Sequence, residues 1–200
     1  MNTHHNLPVS GDDAVSNMRA IVRIALFAAI IAALGLLPKF DLPLLPGIPV
    51  TAQTLGVMLA GIFLGARNGA LAVLLFLFVV ALGAPFLSGG RGGLTVFYGP
   101  SVGYLAGWVI GAYVCGAVMQ HVKVEPKWLR AWLAAFIGGL VVVHAFGIVG
   151  LAWKANLTLQ QAAMLDLAFV PGDMLKTIAA AMIAVAVLRS IPSFRLQQKL

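Results

Sequence analysis

Six apolar runs, each closed by a short stretch rich in charge, proline or glycine, leave this chain few ways to fold. The first follows Arg19 and Arg23 and ends near Leu37; the others lie at about 51–66, 69–87, 97–119, 131–152 and from near Asp166 to Leu188. A helix of about 20 apolar residues crosses a bilayer, and only helices or closed barrels satisfy their own backbone there. The pattern predicts an all-α integral membrane protein, a compact bundle of six transmembrane helices spanning 18–190. A polar tail at 1–17 and a cytoplasmic tail at 191–200 flank it. Composition agrees: 61% of the 200 residues are apolar and 10% are charged, against roughly 25% charged in soluble domains. Such a chain is too apolar to remain disordered.

The formal charge of +7 does not point to nucleic acid, because the 13 Lys and Arg are scattered between apolar runs. They serve topology instead. With both termini cytoplasmic, nine fall inside: Arg19, Arg23, Arg67, Lys123, Lys127, Arg130, Arg189, Arg195 and Lys199. Three fall outside, Lys39, Arg91 and Lys154. Short cytoplasmic loops retain basic residues, so the expected orientation is N-in and C-in. The four-proline loop at 38–50, the glycine-rich loop near Arg91 and the 153–165 link then share the external face. Cys115 is the one cysteine; it excludes an intramolecular disulfide and a cysteine metal cluster and reads as a small core residue.

Small residues mark close helix approach. Ala25, Ala29 and Ala33 form a stripe on span one, with Ala28 and Ala32 beside it; Gly61, Gly65 and Gly69 do so around span two, and Gly99, Gly103, Gly107 and Gly111 along span four. The glycines are expected to pack inside the bundle, and the alanines either there or against another protein.

Asp173 and Lys176 resist a packing-only account. Three residues apart, they share a helix face, and intramembrane charges normally face the bundle interior or a water-filled cavity. Pro171 and Gly172 just before them are expected to interrupt or bend span six. A ligand pocket, a structural ion pair and an ion or proton pathway all fit these residues. His144, alone among Val and Ala, reads as a packed or singly hydrogen-bonded side chain, with a place on a proton path as the alternative. Trp128, Trp132 and Trp153 lie near span ends, where such rings anchor helices, and Trp108 joins no clearer motif. Tyr98 and Tyr104, at the start of span four beside the glycine-rich loop, are candidate pocket residues. That loop, SGGRGG, lacks the residues of a Walker A or dinucleotide loop. No metal-ligand spacing is present, and a nucleophile-base set is missing.

Three segments share one further property: PVTAQTLGVMLAG at 49–61, GAPFLSGGRGGLTVFYGPSVGYLAG at 83–107 and FVPGDMLK at 169–176. With them the chain resembles, over nearly its whole length, the BioY family of biotin-binding membrane components of energy-coupling factor transporters. The resemblance implies a six-helix substrate-capture subunit of the bacterial inner membrane. Such a subunit takes biotin from outside, makes and breaks no covalent bond, and holds no cofactor. A transmembrane coupling protein and a pair of cytoplasmic ATPases, its implied partners, use the ATP. It also implies biotin-binding roles for Asp173 and Lys176, then for Arg91, Tyr98, Tyr104, Thr51, Gln53 and Thr54, and a partner-docking role for Ala25, Ala29 and Ala33. GPSVGY departs from the familiar GPTGGY: Ser101 keeps a hydroxyl, whereas Val102 lacks glycine's freedom. A subunit for another vitamin and a self-contained secondary transporter are the alternative readings; a small membrane enzyme lacks its catalytic set.

Overall fold

In the computed structural model of the chain, residues 11–38 and 51–190 are described. The proline-rich loop at 39–50, with Lys39, and the tails at 1–10 and 191–200 lie outside the described residues. Helix α1 runs from Gly11 to Gly35, so 11–17, expected in the tail, form its first turns. Phe27, Ala28, Ile31 and Gly35 face the bundle, while Ala25, Ala29 and Ala33 on the other side are exposed.

Helix α2 covers Gln53–Ala81 but breaks at Gly65, whose φ of 79° and ψ of 177° no helix contains. Glycine reaches that backbone without a steric penalty. The break reverses the chain: a methyl group added to Gly69 falls 2.7 Å from the Cα of Gly61, whereas eight residues of straight helix span about 12 Å. The arms at 53–64 and 66–81 are thus the expected spans two and three. Gln120 from α3 (Val102–His121) caps the break, its Oε1 accepting from the Ala66 N–H at 3.3 Å.

After a glycine-rich loop and a 3-10 turn at Leu94–Phe97, α3 threads the bundle. It starts at Val102, later than expected, because Gly99 and Pro100 keep the preceding backbone out of a helix. Val102 fits as the first helical residue with no left-handed backbone. Two short helices, α4 (Lys127–Ala134) and α5 (Val143–Ala155), are joined by a π-helical stretch at Ala135–Val142 into one span. A short α6 (Leu159–Asp166), begun by a Thr158 and Gln161 capping box, leads to α7 (Val170–Ser190). Among the described residues, five elements are long and apolar enough to cross a membrane, one of them the folded α2. The architecture is an all-α membrane bundle of about six spans.

Glycine lets these helices touch. A methyl on Gly103 meets the Cα of Gly150 at 2.8 Å and the Phe146 carbonyl closer still, and one on Gly111 meets the Gly138 carbonyl at 2.6 Å. Around these contacts pack Ile31, Met58, Ile62, Phe76, Val80, Cys115, Met119 and Ala184. The outer face carries large apolar side chains, among them Leu74, Phe78, Tyr113, Val149 and Met182, as lipid contact demands.

One correction concerns span six. Pro171 and Gly172 do not interrupt it. They lie in the first turn of α7, where proline's missing N–H is not needed, and the break falls earlier, at 167–169.

Candidate functional site

Side chains from and just before the first two turns of α2, α3 and α7, from the loop between α2 and α3, and from Val143 in the middle of the α4–α5 span enclose a cavity. Its lining combines Thr51, Gln53, Thr54, Ser101, Asp173, Lys176 and Arg91 with the apolar walls of Leu87, Tyr104, Leu105, Trp108, Val143 and Phe169. The cavity measures about 50 Å³.

Asp173 is the centre of its polar side. It lies in the first turn of α7, where a carboxylate is favoured by the helix dipole, and it is buried. Its Oδ1 accepts from the Lys176 ammonium at 2.7 Å and from the Thr54 hydroxyl at 2.9 Å. Lys176 also donates to Thr54 Oγ1 at 3.1 Å, closing a triangle. The spacing of three that placed the two charges on one face thus brings them into direct contact.

Behind Asp173 lies a second layer of polar groups. His144 Nε2 is 3.1 Å from Asp173 Oδ2, and its Nδ1 is 2.7 Å from Asp166 Oδ2. Asp166, the last residue of α6, accepts from the Tyr104 hydroxyl through Oδ1 at 2.5 Å. The expectation of a packed or singly bonded His144 is therefore corrected: both ring nitrogens are engaged. Its sequence neighbours are apolar, but its partners come from two other helices. The π-helical stretch ends one residue before Val143, and such irregular helix is frequent at functional sites.

Arg91 reaches the rim from a tight turn. Leu87 and Arg91 pair backbone to backbone at 3.0 and 3.1 Å across Gly89 and Gly90. Both glycines have positive φ, 81° and 70°, which side-chain-bearing residues rarely adopt. Arg91 Nε donates to the Ser88 carbonyl at 3.3 Å.

Gln53 braces this loop. Fully buried, it donates through Nε2 to the carbonyls of Ile31 and Phe86 at 3.2 and 3.1 Å and accepts from the Ser88 N–H at 3.0 Å. Those bonds use both amide hydrogens, so its side chain ties α1 to the loop. Thr51 accepts from the Gln53 N–H at 3.2 Å. Tyr98 is not brought to the cavity; it is 74% exposed and lines none of it.

Comparison with known proteins decides the family. The profile of the BioY family matches residues 4–193. The biotin transporter BioY of Rhizobium etli is 49% identical over 179 residues, 87% of this chain and 95% of that protein. That of Rhodobacter capsulatus is 41% identical over 185 residues, 88% of this chain and 96% of its own length. The chain belongs to the BioY family. As a member, it is a multi-span protein of the bacterial plasma membrane. Its fold also matches a crystal structure of the S-component for biotin from an ECF-type ABC transporter. The TM-score is 0.86 and the identity 28%, with 96% of this chain and all of that one covered.

Among the side chains at the cavity or behind it, Asp166, Phe169, Trp108, Leu87, Leu105 and Val143 were not singled out in the sequence as site residues. Asp166 and Phe169 sit where α6 passes into α7, and Trp108 lies one turn beyond Tyr104. Asp166 had one legible signal: with Asp173 it is an acid beside an apolar run, which lipid does not tolerate unpartnered.

Proposed function

We propose that the chain is the biotin-capturing subunit of an energy-coupling factor transporter, acting with a transmembrane coupling protein and a pair of cytoplasmic ATPases. One observation carries the reading: a carboxylate, an ammonium and a hydroxyl bonded to one another stand on one side of a cavity whose other walls are aromatic and aliphatic. Biotin has matching parts. Its ureido ring offers two N–H donors and a carbonyl, its thioether ring and alkyl chain are apolar, and its tail ends in a carboxylate. Asp173 accepts from the ureido N–H groups, Lys176 or Arg91 meets an oxygen or the tail carboxylate, and Trp108, Leu105 and Phe169 cover the rings. Thr51, Thr54 and Tyr104 complete the biotin-binding set, and Gln53 supports it through the loop.

Ligand pockets measure about 300–1,000 Å³, far more than this cavity, so entry of a bicyclic ligand parts the lining. The basic-residue asymmetry supports an N-in and C-in topology with the starts of α2 and α3 on the outer side. Ala25, Ala29 and Ala33, turned outward on α1, offer the coupling protein a flat face for close helix contact.

Uptake in cells lacking their own biotin transport tests the reading. Labelled biotin should accumulate when the chain is produced with coupling protein and ATPases, and excess riboflavin should not compete. Accumulation driven by a proton gradient without ATPases contradicts the partner assignment; accumulation of a different vitamin contradicts the ligand.

A further inference from the structure

His144 and Asp166 are buried, yet neither lines the cavity. They form a chain behind it, running from Tyr104 on α3 through Asp166 on α6 and His144 on α5 to Asp173 on α7. The groups facing the ring are thus two carboxylates, with the Tyr104 hydroxyl beyond one and the Lys176 ammonium and Thr54 hydroxyl beyond the other.

Carboxylates only accept, so the ring bonds to both when both nitrogens donate. In that form its charge and that of Lys176 offset those of Asp166 and Asp173, which an apolar bundle requires of its buried ions. The consequence falls on Asp173. Thr54 and Lys176 hold its Oδ1, and His144 holds its Oδ2. With both oxygens restrained from different helices, the carboxylate is set before a ligand arrives, and less ordering remains to be done on binding.

We propose that His144 is a positioning residue for biotin: it fixes Asp173 from behind and is itself fixed by Asp166, so that α6 is tied to the binding site. The inference rests on the biotin reading above and adds a residue that touches no ligand.

The test is equilibrium binding of biotin to the full chain in lipid nanodiscs, with thermal unfolding as a check on assembly. His144→Asn should weaken binding tenfold or more. Asp166→Asn should weaken it three- to tenfold, because the ring loses its rear partner. The double variant should lose clearly less than the product of the two single losses, since Asp166 acts mainly through the ring and otherwise only on the Tyr104 hydroxyl it also holds; independent structural damage would multiply the two losses. His144→Gln, whose amide can still donate to a carboxylate, should retain more affinity than His144→Leu, and His144→Leu replaces His144→Asn in the cycle if that variant does not assemble. Parent-like binding by the His144 variants, or multiplied losses in the double variant, overturns the proposal. Absence of biotin binding by the unaltered chain overturns the ligand reading and this inference together, and is seen without any variant.

Discussion

Asp173→Asn is expected to weaken biotin binding by roughly a hundredfold or more while leaving an assembled, helical protein. The substitution keeps the size of the side chain and removes the charge on which three neighbours converge: Lys176 at 2.7 Å, Thr54 at 2.9 Å and His144 at 3.1 Å. An amide presents one acceptor oxygen where the carboxylate presents two, and its NH2 group points hydrogens at partners that are themselves donors. A hydrogen bond to a charged group is worth about 1.5–3 kcal/mol, so losing the ureido N–H bonds to the carboxylate reaches the roughly 2.8 kcal/mol that corresponds to a hundredfold in affinity. Lys176→Met, which keeps most of the stem and removes the ammonium, should act in the same direction. Titration with biotin, alongside circular dichroism to verify folding, checks both. If both variants bind like the parent, the pair is structural and the ligand lies elsewhere.

The second large effect concerns the fold. Gly103 and Gly99 belong to the same small-residue stripe, yet Gly103→Ala should be severely destabilising and Gly99→Ala nearly neutral. A methyl on Gly103 lands 2.8 Å from the Cα of Gly150, with the Phe146 carbonyl closer; on Gly99 its nearest neighbour is the Val96 carbonyl at 3.9 Å. The atoms met at Gly103 are backbone and cannot rotate away, so α3 and α5 must separate. Overpacking costs about 1–3 kcal/mol where side chains can adjust, and the upper end or beyond applies here. At about 2–4 °C per kcal/mol for a chain of this size, thermal unfolding should fall by roughly 6–12 °C. Gly99→Ala should stay within about 0.5 kcal/mol of the parent. Equal effects at the two positions would contradict the packing described for α3 and α5.

These two residues also show where sequence reading stops. Hydropathy and the placement of prolines and basic residues revealed the spans because lipid penalises every unpaired polar group along a span. Local chemistry was legible too: Asp173 and Lys176 are three residues apart, and helix geometry alone brings them together. Contacts between elements were not. His144 stands among Val and Ala, 22 residues before Asp166 and 29 before Asp173, and only the crossing of α5, α6 and α7 joins them. Gln53 presents the same amide whether it meets a ligand or braces a loop; its bonds to Ile31, Phe86 and Ser88 come from α1 and a loop more than 20 residues away in sequence and could not be read from its neighbours. Tyr98 and Tyr104, six residues apart across the Gly99–Pro100 break, diverge to the surface and the cavity wall. The π-helical turn at 135–142 has no periodicity by which it could be read.

The central claim is that this chain captures biotin by itself, before any partner acts. Equilibrium titration of the purified, unaltered chain in lipid nanodiscs, with no coupling protein or ATPase present, tests it most directly. The account predicts saturable binding of one biotin per chain, displaced by desthiobiotin and insensitive to riboflavin. Absence of saturable binding by a folded preparation, or displacement by riboflavin, would contradict it.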